Sequence, residues 1–297
     1  MLIAAFYHFT RFPDPAALRP GLVEVCAASG VKGSILLAGE GINGTIAGAG
    51  VLAVLDHVRA LPGCQGLVWT ESRAAVMPFG RMKVRIKHEI VTMGQPDVDP
   101  VAAVGRYVKP LNWNAFISQP DVAVIDTRND YEVAIGTFQG AVDPGTRAFG
   151  GFPAWWQDNR ERFKGKRIAM FCTGGIRCEK STNYLLGQGV AEVFHLQGGI
   201  LKYLEEVPQK DSLWQGECFV FDERISVGAG LQPGDLTACR ACRRPLTAVQ
   251  RADPVFEEGV CCPLCQGDYD ANDRARFRER QRQMVLAAQR GERNLGG

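Results

Sequence analysis

Ten cysteines carry most of the chemistry this sequence offers, and their spacing sorts them. Cys172 opens the run CTGGIR at 172–177, directly after the apolar stretch RIAMF and before the helix-compatible residues 178–186. Strand, six-residue loop and helix in that order put a cysteine at the carboxyl edge of a parallel sheet, where α/β folds place their ligands. Gly174 and Gly175 let the loop curl, so that backbone N–H groups along Thr173, Gly174, Gly175 and Ile176 turn inward as an anion cradle. The helix that follows aims its positive end at the same spot, and Arg177 closes the ring with a fixed charge. Such surroundings lower a thiol from its free pKa of about 8.5 and leave a nucleophilic thiolate at neutral pH. Cys178, six residues on, has two readings. It is either a resolving thiol for an oxidised Cys172 or a small residue packing the first helical turn.

A second set of cysteines points to metal. Cys239 and Cys242 form one C-x2-C pair, Cys262 and Cys265 another, with 19 residues between the pairs. That is the spacing of a structural zinc site, in which four thiolates close a tetrahedral shell and leave no open position for catalysis. Cys261 adjoins Cys262 but does not complete a C-x2-C pair, so it is the spare. Cys26, Cys64 and Cys218 have no sequence partners and default to packing. His8, His57 and His88 stand alone, with no metal-ligand spacing.

These residues need elements to hold them. A chain of 297 residues, 46% hydrophobic and 22% charged, is long enough for two folded domains and is not disordered. No run of about 18 apolar residues predicts a membrane span. The first residues, MLIAAFYHFTRFPDP, lack the basic start and small-residue cleavage site of a secretory signal. A reducing, cytoplasmic setting is therefore expected, in which cysteines serve as ligands or reactive thiols rather than disulfides. The net charge of +2 excludes a uniformly basic coat for nucleic acid but not a local patch. It is unevenly spread: +3 over residues 1–95, −1 over 96–213, −4 over 214–270 and +4 over 271–297. The last segment carries Arg274, Arg276, Arg278, Arg280, Arg282, Arg290 and Arg293 and reads as a basic helical tail, a solvated face before it reads as an RNA contact.

Residues 2–9 suit a strand, 15–28 a helix, 32–47 two strands broken by glycines, 51–61 a helix, and 82–91 an alternating strand with Lys83, Arg85 and Lys87 on one face. That order is β-α-β-β-α-β, a ferredoxin-like sandwich. The glycines at 39, 41 and 44 match no phosphate-loop pattern and read as a hairpin. Residues 96–117 serve as a linker, its start rich in Pro and Asp. Alternating strands and helices over 118–213 predict a parallel sheet, and 214–270 the metal-binding extension.

Asp126, Arg128 and Glu132 (D-x-R-x-x-x-E), Gly136, Gly140 and Ala141 (G-x-x-x-G-A), CTGGIR, and LQGGI at 196–200 together resemble a rhodanese domain. In that family the first loop cysteine carries a persulfide, and a six-residue loop suits sulfur transfer where related phosphatases use one residue more. The longer strings CTGGIRCEKS (172–181), GEGINGTI (39–46), RMKVRIKHEIV (81–91) and FVFDERIS (219–226) extend the likeness over nearly the whole chain. With them the sequence is similar to the oxygen-dependent tRNA uridine hydroxylases. That resemblance implies a ferredoxin-like domain followed by a rhodanese domain, cytoplasmic location, and molecular oxygen as co-substrate. It also implies hydroxylation at C5 of the wobble uridine in the anticodon stem-loop of tRNA, to give 5-hydroxyuridine. Cys172 is then the nucleophile, Arg177 and the loop N–H groups its anion partners, and Lys83, Arg85 and Lys87 the grip on RNA phosphates. Oxygen chemistry needs a sulfur or electron donor protein, since no flavin, haem or nucleotide motif is present. Two alternatives stay open at this point. One is a plain sulfurtransferase carrying a cysteine persulfide. The other is a non-catalytic tRNA-binding or redox-sensing zinc scaffold.

Overall fold

The structure, a computed structural model, describes residues 1–290. The N-terminal part runs β1 (Leu2–Phe9), α1 (Pro15–Ala28), β2 (Lys32–Ala38), β3 (Gly41–Ala47), α2 (Val51–Arg59), β4 (Val68–Arg73) and β5 (Met82–Ile86). Its five strands lie in the order β4-β1-β3-β2-β5, antiparallel except for the β2/β5 pair. The period-two pattern of the strands sorts the faces. Ala4, Phe6, Ile35, Leu37, Ile42 and Ile46 turn toward α1 and α2 and form one core with Leu22, Val54, Leu55 and Val58. The opposite face carries Ala5, Tyr7, Ser34, Leu36, Asn43 and Thr45, which line a cleft rather than a core.

The ferredoxin-like sandwich is present, but its fourth strand is not the expected one. Residues 68–73 (VWTESR) pair with β1, whereas β5 is an added edge strand. VWTESR is half-exposed and polar, so it carries no apolar signal, while MKVRI alternates cleanly because only Val84 is buried. The expected strand also ends early, at Ile86. Beyond it the chain bends so that Glu89 accepts the backbone N–H groups of Met93 and Gly94.

The second part comprises β6 (Arg106–Val108), α3 (Pro110–Ile117), β7 (Val122–Asp126), α4 (Asp130–Val133), β8 (Gly136–Phe138), α5 (Phe152–Asn159), β9 (Arg167–Phe171), α6 (Ile176–Gly187), β10 (Val193–Leu196) and α7 (Gly199–Glu206). Strands β6-β10-β9-β7 form a parallel sheet covered on both faces. Val124, Ala169 and Phe171 pack with Trp113 of α3 and Ile200 and Tyr203 of α7. Their neighbours Ile125, Ile168 and Met170 pack with Phe152 and Trp156 of α5 and Leu185 of α6. The stretch expected as linker, 96–117, therefore supplies an edge strand and a helix to this sheet. Three residues of strand are too short to show a period.

The C-terminal part has β11 (Trp214–Gly216) paired with β8, the hairpin β12 (Cys218–Phe219)–β13 (Ser226–Val227), the hairpin β14 (Thr237–Ala238)–β15 (Pro245–Leu246), α8 (Ala248–Arg251) and α9 (Ala271–Gln289). Its small core is mostly cysteine: Cys239, Cys261, Cys262 and Cys265 with Leu246 and Val260. Helix α9 packs on it through Phe277. The arginines of α9 are largely spoken for, Arg278 by Glu257 at 2.6 Å, Arg282 by Glu279 at 2.9 Å, Arg276 by Asp273, and Arg280 by the Arg240 carbonyl at 2.7 Å. That favours the solvated-face reading of the tail as far as residue 290; Arg293 lies outside the described residues. Among the described residues no helix is long and apolar enough to cross a membrane.

Candidate active site and metal centre

Strand β9 delivers Cys172, fully buried, into a loop whose Thr173, Gly174, Ile176 and Arg177 line the cleft. Gly175 adopts φ +99°, a left-handed turn that glycine makes without strain, and its N–H donates to the Cys172 sulfur at 3.2 Å. The loop is braced from below by the start of α7, where Ile200 and Leu201 donate to the carbonyls of Cys172 and Thr173 at 3.0 Å. Only a glycine fits at 199, because a Cβ there would lie 2.5 Å from the Cys172 carbonyl oxygen. The GGI motif at 198–200 thus exists to let a helix abut the loop.

Burial by itself would raise the Cys172 thiol. The Cys178 thiol, the Arg177 charge and the N–H groups of Cys178 and Arg177 outweigh that and hold Cys172 down to about 6. Cys178 is pushed the other way, mainly by burial and by the anion beside it. Its sulfur also lies 3.7 Å from Thr127 Oγ1. The two cysteines are thus neighbours whose pKa values are driven apart, Cys172 down and Cys178 up.

Arg177 does more than close a ring. Its guanidinium makes a two-pronged pair with Glu132, at 2.7 and 2.8 Å, and Glu132 also accepts from Thr173 Oγ1 at 3.2 Å. Glu132 itself caps α4, taking the Asn129 N–H at 3.1 Å. A buried pair of this kind is weak evidence for stability, but it fixes where the Arg177 charge stands relative to the loop. One turn of chain away, Asp126 and Arg128 form a second buried pair at 2.6 Å. The D-x-R-x-x-x-E motif is thereby resolved into two scaffolding ion pairs under the loop. The sequence showed the motif but not that its glutamate partners Arg177.

Three further groups at the site had no local sequence signal. Tyr7, from the N-terminal domain, and Tyr107, on β6, both donate to Glu179 of α6, at 2.8 and 3.0 Å. Lys180, next along and 2% exposed, reaches across to Glu40 and Glu89 at 2.7 and 2.6 Å. These contacts join residues 72 to 172 positions apart, which no local pattern can reveal. They lock the N-terminal domain over the loop. The resulting cleft has a volume of about 1430 Å³ and is walled by the open face of the N-terminal sheet, the Cys172 loop and the segment 219–226. In that segment Arg224 pairs with Asp222 and donates to Ser72 at 2.9 Å, leaving Phe221 exposed at the rim.

Lys83 and Arg85 sit opposite Ser34 and Leu36 across the β2/β5 pairing, so they share the face that lines the cleft. Burial first, and then repulsion from Arg81, Arg85 and Arg243, lower the Lys83 pKa. That cluster of like charges is what a polyanion would relieve. Lys87 lies past the end of the strand and is exposed.

At the C-terminal knuckles the four sulfurs of Cys239, Cys242, Cys262 and Cys265 all lie within 4.8 Å of one another. Cys242 and Cys262 are 3.8 Å apart, Cys262 and Cys265 3.5 Å. Four thiolates about 2.3 Å from a central zinc would stand about 3.8 Å apart, so the donor set and its spacing fit that ion. Cys261 turns its thiol to the Cys262 carbonyl and stays outside the cluster. Cys26, Cys64 and Cys218 are buried in apolar cores.

Comparison with known proteins places the whole. Residues 1–90 match the UPF0176 acylphosphatase-like domain and residues 113–206 the rhodanese-like domain. A tRNA uridine(34) hydroxylase of Roseobacter denitrificans is 63% identical over 97% of this chain and 98% of its own length. Proteins of the same description from Jannaschia and from Caulobacter vibrioides are 64% and 55% identical over 99% of this chain, and over 98% and 96% of their own lengths. Two domains joined over a buried thiolate, in a chain that matches these relatives from end to end, make it a member of the tRNA uridine(34) hydroxylase family.

Proposed function

We propose that this protein hydroxylates C5 of the wobble uridine in tRNA, giving 5-hydroxyuridine. The observation that carries the reading is the end-to-end similarity to relatives of that description, together with a large cleft lined by Thr173, Gly174, Ile176 and Arg177 of the loop that buries Cys172. The anticodon stem-loop lies over the cleft with its phosphates on Lys83 and Arg85 and the neighbouring Lys87. Its unpaired bases are already partly unstacked, so presenting one to the loop is cheaper than from a duplex. Cys172 adds to C6 of the pyrimidine and so activates C5 toward molecular oxygen, with electrons from an external donor. Arg177 and the loop N–H groups of Thr173, Gly174, Gly175 and Ile176 hold negative charge there. Cys178 donates to the thiolate. Cys239, Cys242, Cys262 and Cys265 would hold a zinc ion in a structural role, tying together the segments that carry them. A cytoplasmic location fits thiolate chemistry and a tRNA substrate.

Deleting the gene removes 5-hydroxyuridine and its derivatives from tRNA nucleosides measured by mass spectrometry, and Cys172→Ala fails to restore them. Intact modification in the deletion strain would sink the reading. The six-residue rhodanese loop supports a second activity, sulfur transfer through a Cys172 persulfide. That reading needs cyanide-dependent thiocyanate formation that Cys172→Ala abolishes.

A further inference from the structure

Glu179 is a buried acid with no cation beside it among the described residues. It is 5% exposed, lies seven residues after Cys172, and lines the cleft. The Tyr7 hydroxyl reaches Oε1 at 2.8 Å, and the Tyr107 hydroxyl lies 3.0 Å from both oxygens. The nearest cations are committed elsewhere: Lys180 to Glu40 and Glu89, and Arg177 to Glu132. Behind Tyr107, the ring of His195 on β10 stacks at 4.3 Å and its Nε2 meets the Gly105 carbonyl at 3.1 Å. Burial pushes His195 down to about 4, so it brings no charge at neutral pH. The remaining charged neighbour is the Cys172 thiolate. Against it and against burial, the two phenols hold Glu179 only to about 7.

An amide in this place would accept the same phenols without the cost of burying a charge, so packing does not explain the acid. Its surroundings suit proton transfer. Tyr7 packs on the reactive loop, where a Cβ on Gly175 would come within 2.8 Å of its hydroxyl. Tyr107 is 51% exposed and leads from the carboxylate to solvent.

We propose that Glu179 is the proton acceptor at C5 of the pyrimidine, with Tyr7 and Tyr107 as positioning residues that aim it and Tyr107 passing the proton outward. This rests on the reading in which Cys172 adds to C6. Once C5 carries its new substituent, the adduct must collapse. The C5–H bond breaks and its electron pair forms the C5=C6 double bond. The C6–S bond breaks with its pair returning to Cys172 as thiolate, and the proton goes to the Glu179 carboxylate. The step is an elimination and needs no oxidant.

The same addition and elimination, run without oxygen, exchanges the C5 hydrogen of uridine with solvent. The test is therefore C5–H exchange in D2O at the wobble uridine of an anticodon stem-loop RNA, followed by mass spectrometry with the purified full-length protein. The parent exchanges, with a limb that falls as pH rises through about 7, where the protonated Glu179 that must deliver the deuteron to C5 is lost, and Cys172→Ala does not. Glu179→Gln falls about 10²-fold in rate at unchanged RNA affinity and loses the limb. Tyr107→Phe and Tyr7→Phe fall less and move the limb upward, since each removes a donor to the carboxylate. Exchange by Glu179→Gln at the parent rate overturns the proposal while leaving Cys172 chemistry intact. A parent that never exchanges overturns both the C6 adduct and this role. The nucleoside content of complemented cells then decides the hydroxylase reading separately.

Discussion

Arg177→Met should move the titration of Cys172, and by a predictable amount. Lowering a thiol from its ordinary 9.0 to about 6 corresponds to about 4 kcal/mol in favour of the thiolate. The Arg177 charge, acting on the sulfur through an effective dielectric of about 20, contributes on the order of 2–3 kcal/mol of that. The Cys178 thiol, the loop N–H groups and the helix end supply the rest, against burial. Removing the guanidinium should therefore raise Cys172 to about 8, and thiolate occupancy at pH 7 should fall from about nine-tenths to about one-tenth. The assay is thiolate absorbance at 240 nm across pH, taken as the parent minus Cys172→Ser so that the other nine cysteines cancel. The single variant also strands Glu132, fully buried, at a cost of about 3–5 kcal/mol. The double variant Arg177→Met/Glu132→Gln keeps the fold and should still raise the midpoint, by less, because a repelling carboxylate leaves with the cation. Glu132→Gln alone should move it the opposite way, below 6, since Arg177 then answers only to the thiolate. A midpoint that stays near 6 without Arg177, or that rises in Glu132→Gln, would refute this account of the site.

Other consequences are simpler to state. Cys178→Ala should raise the Cys172 midpoint, by less than Arg177→Met does, because it removes one donor to the thiolate; no change by the same absorbance titration would contradict it. Lys180→Met should cost about 3–5 kcal/mol in urea unfolding by leaving Glu40 and Glu89 without their shared cation, and Lys180→Met/Glu40→Gln/Glu89→Gln should recover part of it. Cys239→Ser should reduce bound zinc from about one per chain to near zero and expose 237–265 to protease, while near-ultraviolet circular dichroism of the rhodanese tryptophans stays put. Charge reversal of Lys83 and Arg85 to Glu should weaken RNA binding and flatten its dependence on salt, by a slope of about 0.7 per lost phosphate contact.

The sequence alone determined the local chemistry: a strand, a six-residue loop opening on Cys172 with two small glycines, a helix and an arginine. It also marked out the four cysteines with zinc-site spacing, because each C-x2-C pair is held close by its own short turn, and the fold brings the two pairs together. Helix α1 and the β2–β3 hairpin were legible too, since their periods and glycines are local. The polar β4 and the three-residue β6 were not, because an edge strand that buries little leaves no pattern in composition. The partners of the site belonged to the tertiary structure alone. Glu132 as the partner of Arg177, Tyr7 and Tyr107 on Glu179, and Lys180 between Glu40 and Glu89 are contacts across 45 to 172 residues of chain. A sequence can say that a glutamate follows a cysteine by seven positions. Only packing two domains together takes that glutamate out of water and gives it phenols in place of a cation, and that burial raises its pKa to about 7.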